Sequence, residues 1–393
     1  MADLRVRVME RARVQTMFMD SLLTDGRCPR TFQGDTLVTS DIGWWCSGFY
    51  PGVLWQVYEA TEDTLFRDLA VKHTLPLAGL LERNTDHDIG FQLMSSFGKM
   101  ARHLPSGTPS CHSDEPSCHS DEPSCHSERS EGISPQTVLT HGAEILAARL
   151  DPAVGVIRSW NGNRWNYPVI IDNMMNLELL MEYGDRAVAE KHALTTAANH
   201  FREDGTTWHL VDYADDGSVL GKQTVQGYAD DSAWARGQAW ALYGYAMMAR
   251  EEQDPETGNP ELARTFNDIA FKLAEWILPR LPDDGVPYWD FSQSDYRDAS
   301  AGAIIAAGLL DLWRNDPDRD PEKKLVAAAE RILRTLASPE DLAEPRTNGG
   351  FLLKHSVGNI PGHSEVDVPL TYADYYFLEA LNWYSAEALN GSD

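Results

Sequence analysis

Basic residues are in short supply in this chain. Against 60 Asp and Glu it carries 33 Lys and Arg, a net charge of −27 over 393 residues. Long-range repulsion of that size opposes nucleic acid and anionic membranes as general partners. Cysteine is rarer still: Cys28 and Cys46 stand apart, while Cys111, Cys118 and Cys125 belong to one short repeat. Such a chain needs no disulfides and suits a reducing compartment. No run approaches the roughly 20 apolar residues that cross a bilayer. The opening MADLRVRVMERARVQTMF scatters its charges and lacks the apolar block of a signal peptide. The expected location is therefore cytoplasmic, or periplasmic if a leader has been removed. Also missing are a phosphate-cradling Gly-rich loop, a nucleophile elbow, a dinucleotide fingerprint and histidines at metal-ligand spacing. No metal and no cofactor are expected.

What remains is a chain rich in helical periodicity. Hydrophobic residues make up 42%, and they recur at i, i+3, i+4 spacing through most of the sequence. The spacing predicts about twelve helices, near 3–23, 48–61, 63–83, 88–103, 134–150, 172–184, 185–203, 231–251, 261–280, 298–315, 320–337 and 369–390. Strand-like alternation is confined to VGVIRSW (154–160), WHLVDYA (208–214) and GVPYWDF (285–291). Twelve helices with alternating short and long connections make six hairpins, which close into a toroid with a cavity at the end carrying the long loops. An open solenoid is disfavoured because no repeat consensus recurs. The expected class is all-α, an (α/α)6 barrel forming one catalytic domain over 1–393. Residues 109–131 break the pattern with PSCHSDE repeats. Their regular prolines and missing apolar seam read as a disordered insertion and not as a coiled coil or zinc site.

Two acidic residues stand in unusual company. Asp172, in NYPVIIDNMMNLELLMEYG, is flanked by apolar residues on both sides. Asp is a favoured N-cap, but burial would also raise its pKa and suit it to proton donation. Asp88 follows Asp86 and His87 at the start of another helix, where acids are favoured by the helix dipole. Held close on different hairpins, the two carboxylates would push one pKa upward, helping Asp172 keep its proton. In QGYADDSAWARGQAW, Arg236 and Trp240 lie at i and i+4 on one helix face. That pair suits a sugar carboxylate and pyranose ring, or else a cation–π contact between helices. Several tryptophans, among them Trp44, Trp45, Trp160, Trp165 and Trp289, sit beside Gly, Asn or Asp, as carbohydrate-stacking rings do.

Taken together, HDIGF (87–91), VIRSWN (156–161), IIDNMMNLELL (170–180), QGYADDSAWARGQAW (226–240), VPYWDF (286–291), YRDASAGAI (296–304) and TYADYYFLEAL (371–381) resemble the unsaturated glucuronyl hydrolases of glycoside hydrolase family 88. The resemblance runs from about Asp41 to Ala388, interrupted by 109–131. It implies an (α/α)6 barrel and an exo-acting enzyme that removes the terminal 4,5-unsaturated glucuronic acid from small acidic oligosaccharides made by lyases. It implies protonation at C4 of the vinyl ether, water addition at C5 and rearrangement of the hemiketal. Asp172 matches the acid and base, and Asp88 the second essential carboxylate. Trp45, His87, Trp160, His209, Gln226, Arg236, Trp240 and His355 match sugar contacts, and Lys354 beside His355 offers a cation. The alternatives are an unsaturated rhamnogalacturonyl hydrolase on the same barrel, a sugar epimerase, and a non-catalytic sugar-binding toroid. A monomer or weak homodimer is expected.

Overall fold

A computed structural model describes residues 1–24, 26–83, 86–104 and 134–384. Within these the helices alternate between an outer and an inner ring. The inner ring comprises Phe49–Thr61, the stretch from Ile89 to His103, the stretch from Ile171 to Tyr183, Ala235–Glu251, Ala299–Asn315 and Thr371–Trp383. Each packs on its neighbours in turn, and Thr371–Trp383 returns to Phe49–Thr61 to close the circle. The outer helices are Ala2–Leu22, Thr64–Thr74, Pro135–Ala147, Arg186–Asn199, Pro260–Ile277 and Lys324–Leu336. The protein is thus an (α/α)6 barrel.

The two rings differ in sequence for a physical reason. Inner helices are covered on all sides, so Ala299–Asn315 (ASAGAIIAAGLLDLWRN) buries every residue from Ala299 to Trp313. A helix apolar all round must be interior. Outer helices bury one stripe: Lys324–Leu336 buries Leu325, Val326, Ala328, Ala329, Ile332, Leu333 and Leu336, the i, i+3, i+4 pattern of a half-wet helix. Inner helices also approach closely. A Cβ on Gly244 would stand 2.5 Å from Met174, and one on Gly90 2.6 Å from Asn176, so a larger side chain would push those helices apart.

The helix from Ile89 to His103 carries one π turn, Met94–Gly98. There the Ser95 and Ser96 hydroxyls donate to the carbonyls of Phe91 and Gln92, competing with the normal helix ladder. The sequence predicts one helix over 63–83, but Pro76 divides it into Thr64–Thr74 and a 3-10 stretch, Leu75–Glu82.

Six connections of a dozen residues or more lead from outer helices into the N-termini of inner helices, and four of them hold the small sheets. These are the hairpin Cys28–Gln33 with Thr36–Ser40, the pair Leu150–Asp151 with Val156–Ile157, the three strands Pro168–Ile170, Leu210–Tyr213 and Val219–Gln223, and the hairpin Ser356–Asn359 with Ser364–Val368. Two of the three sequence-predicted strand segments contribute strands. The third, 285–291, makes only isolated bridges, Trp234 with Asp290 and Tyr288 with Arg297. The opposite end of the barrel carries the connections from inner to outer helices. The 109–131 insertion lies outside the described residues, as does the end of the predicted 369–390 helix beyond Tyr384. The flanking Leu104 and Ser134 belong to an inner-to-outer connection, away from the long loops. No helix among the described residues is long and apolar enough to cross a membrane.

Candidate active site

Where the long loops meet the inner N-termini, a cavity of about 230 Å³ opens, and both Asp88 and Asp172 line it. A larger groove of about 740 Å³ runs between the outer helices Ala2–Leu22 and Thr64–Thr74, but no pair of facing carboxylates lines it. The smaller cavity is the candidate site, because it brings Asp88 and Asp172 together.

Neither acid caps a helix. Asp88 occupies the N-cap position before Ile89 without bonding a backbone N–H, and Asp172 sits inside the 3-10 turn Ile171–Asn176. Asp172 is 9% exposed, and its Oδ2 has no hydrogen-bond partner. Burial pushes its pKa up to about 6, opposed first by the Arg236 charge. The indole of Trp240 also opposes the rise, although its N–H reaches no acceptor in good geometry. Asp88 rises well above the usual carboxylate range, first through burial and then through the charges of Asp86 and Asp172. Burial is the leading cause at both acids, and the charge of Asp172 adds to the rise at Asp88.

Two histidines flank the acids, each buried and held neutral. His209 accepts the Val225 and Gln226 backbone N–H groups at Nδ1, at 3.0 and 3.2 Å. Its proton must then reside on Nε2, which lies 3.6 Å from Asp172 Oδ2. Burial pushes the His209 pKa down to about 3. His87, with Nε2 3.5 Å from Asp88 Oδ1, is likewise pushed down to about 4.

Arg236 is the hub of the cavity wall. One terminal nitrogen meets Asp298 Oδ2 at 3.4 Å and the Val357 carbonyl; the other donates to Gln226 Oε1 at 2.6 Å and the Gly358 carbonyl at 2.7 Å. The guanidinium lies over the Trp234 ring at 4.5 Å. Aromatic rings form the rest of the wall. Trp45 is tilted against Tyr372 at 4.7 Å, and Trp160 stands edge-on to His87. Glu178, Glu182 and Glu251 gather at the other end of the barrel, where Arg102 and Arg250 already pair with Glu178.

No family model matches the chain. Curated relatives do. An unsaturated glucuronyl hydrolase of Formosa agariphila is 37% identical over 351 residues, covering 86% of this chain and 79% of that protein. The unsaturated glucuronyl hydrolase of Bacillus sp. (strain GL1) is 32% identical, with 90% of each covered. The chain belongs to the unsaturated glucuronyl hydrolases. An unsaturated chondroitin disaccharide hydrolase of Streptococcus pneumoniae is 30% identical over 92% of this chain and 87% of its own length. Among solved structures, a heparin-specific unsaturated glucuronyl hydrolase superposes with a TM-score of 0.85 at 37% identity, covering 98% of both chains.

Of the residues that the family resemblance singles out, the cavity brings together Asp88, Asp172, Trp45, His87, Trp160, Gln226 and Arg236, with His209 directly behind Asp172. It does not bring in Trp240, which is 0% exposed and packed between Phe91 and Tyr376. The Arg236–Trp240 face exists, with Arg236 in the cavity wall and Trp240 one turn deeper among the packed helices. Lys354 and His355 also lie outside the lining. Lys354 Nζ donates to the Pro339 carbonyl, and His355 pairs with Asp367 at 2.7 Å. The lining adds Tyr372 and four hairpin residues, Gly358, Asn359, Ser364 and Glu365. Tyr372 stood within a quoted motif; the hairpin residues gave no signal, because nothing in VGNIPGHSEVDV sets its fold over the cavity.

Proposed function

We propose that this protein removes 4,5-unsaturated glucuronic acid from the non-reducing end of lyase-generated, glycosaminoglycan-type oligosaccharides, with Asp172 as acid and then base. The observation that carries the reading is a buried Asp172 carboxyl with a pKa of about 6, sharing a small tryptophan-lined cavity with Asp88. A general acid works best when its pKa lies near the working pH.

The chemistry balances without a cofactor. Asp172 delivers its proton to C4, and the C4–C5 double bond becomes an oxocarbenium ion shared by C5 and the ring oxygen. Water adds at C5 and returns its proton to the Asp172 carboxylate. The hemiketal opens to a C5 ketone, leaving a hemiacetal at C1 that expels the glycosidic alcohol. One water is consumed and Asp172 ends as it began. Asp88, raised well above the usual carboxylate range by burial and its acidic neighbours, carries less charge to repel the anionic sugar and in its protonated form donates a hydrogen bond to it. The substrate carboxylate adds negative charge to the cavity and raises Asp172 further toward its protonated form. The small volume favours a terminal sugar over a passing polymer, and so does the −27 net charge.

The test is the ultraviolet absorbance of an unsaturated glucuronyl disaccharide, with an unsaturated galacturonyl substrate as control. Absorbance lost with the glucuronyl substrate alone supports the assignment. A folded protein that leaves every unsaturated uronide intact sinks it.

A further inference from the structure

Gln92 stands one helical turn after Asp88, and its backbone N–H closes the first turn on the Asp88 carbonyl at 3.0 Å. The side chain is 2% exposed, and its amide nitrogen faces three acceptors: the Ile42 carbonyl at 3.1 Å, the Trp44 carbonyl at 3.0 Å and Ser47 Oγ at 3.1 Å. Two of these are carbonyls that can only accept, so the amide orientation is fixed by its partners. The segment it grips carries both Trp44 and Trp45 into the cavity lining. The same helix grips that segment twice more. Phe91 meets the Trp45 ring edge-on at 5.7 Å, and a Cβ on Gly48 would fall 2.1 Å from the Gln92 carbonyl, so the two backbones touch.

We propose that Gln92 is a positioning residue: its amide latches the Trp44–Trp45 segment to the helix that begins at Asp88, and so sets the distance between the sugar-stacking wall and the acids. The proposal rests on the hydrolase reading above. The Trp45 ring also meets Phe49 and Tyr372, and Arg30 lies over the Trp44 ring. A segment carrying stacking rings must hold its place before substrate arrives, or ordering it lowers affinity. The latch acts on binding more than on proton transfer, because Asp172 sits on a different inner helix.

The experiment is a double-mutant cycle between Gln92→Met, which keeps length and removes the donors, and Trp45→Ala. Steady-state kinetics on an unsaturated glucuronyl disaccharide should show KM raised about tenfold by Gln92→Met, with kcat within about threefold. In the Trp45→Ala background, Gln92→Met should raise KM by clearly less than it does in wild type, since one of the two rings it positions is gone. Additive effects, a fall in kcat with KM unmoved, or wild-type kinetics would each overturn the latch. Should Gln92→Met fail to fold, Ser47→Ala removes one acceptor and reads the same non-additivity with Trp45→Ala at smaller amplitude. If wild type cleaves no unsaturated uronide, the hydrolase reading fails on its own. Acrylamide quenching then reads the latch: greater tryptophan accessibility in Gln92→Met, abolished by Trp45→Phe, supports it, and unchanged quenching overturns it.

Discussion

His209 Nε2 bears its ring proton 3.6 Å from Asp172 Oδ2, because two backbone N–H groups occupy Nδ1. The two atoms lie close without a hydrogen bond, and neither has another hydrogen-bond partner. A neutral N–H at that range favours the ionised carboxylate only modestly. Replacing His209 with Phe removes the donor, so the Asp172 limb of the pH–rate profile should move above its wild-type position. We expect kcat to fall about tenfold to a hundredfold, within the range of general acid–base effects. A pH–kcat profile checks both.

Asp172→Asn should abolish turnover while preserving binding. The amide is nearly isosteric but cannot deliver a proton at C4. A loss of about 10²- to 10⁴-fold in kcat is the scale of a removed general acid, with the dissociation constant for an uncleaved unsaturated disaccharide within a few fold of wild type. Calorimetric binding beside absorbance kinetics separates the two. A variant that loses binding and turnover equally would make Asp172 a binding group instead.

The same residue should set the pH dependence. The acid is the active form and its pKa is about 6, so kcat/KM should fall with rising pH through that value, approaching tenfold per unit. Stability carries the opposite mark. A carboxyl raised from 3.8 to about 6 disfavours the folded state. The cost begins as pH rises past the unfolded value and is complete above about 6. Asp172→Asn should therefore melt higher than wild type at pH 8, with the gain shrinking toward pH 4. Thermal melts across that range test the sign, and a variant less stable at every pH would contradict it.

Arg236 separates charge from geometry. Arg236→Lys keeps the positive charge that lowers the Asp172 pKa but loses the planar fork bridging Gln226, Asp298 and the Val357–Gly358 backbone. Asp298 is fully buried, and stripping a buried partner costs about 3–5 kcal/mol when no charge replaces it. With Lys in place we expect roughly half of that as a lower melting temperature, a raised KM, and an unmoved pH limb. Arg236→Met should move the limb upward as well. Identical pH profiles in both variants would show that the charge does not reach Asp172.

These residues also mark how far the sequence could be read. The barrel was legible because ring position is written in composition: inner helices apolar all round, outer ones striped. Asp172 stood out because an acid within apolar flanks is costly and needs a reason, and Asp88 because Asp86 and His87 crowd it at a helix start. Trp240 shares a face with Arg236, as the i, i+4 spacing requires, but it is covered by Phe91 and Tyr376, a depth that spacing alone does not give. Lys354 and His355 lie outside the lining, next to it in sequence only. His355 takes a left-handed φ of 54° and pairs with Asp367, so the chain reaches the cavity only further along, at Gly358. The lining by Glu365 depends on Arg30, 335 positions away, a pairing that no local pattern encodes.

The last prediction concerns residues 109–131. The described ends of that connection, Leu104 and Ser134, follow the C-terminus of one inner helix and precede the outer helix Pro135–Ala147. Every residue lining the cavity comes from an inner N-terminus or the long loop before it. The described ends of the connection therefore lie at the opposite end of the barrel from the cavity. Removing 109–131 leaves 105–108 and 132–133 to join the two helices, within the usual length for helix–helix connections. We expect kcat and KM within about twofold of wild type, because the length of a connection changes closure entropy only slowly. A loss of tenfold or more in kcat/KM, with the melting temperature unchanged, would mean that the insertion reaches the substrate after all.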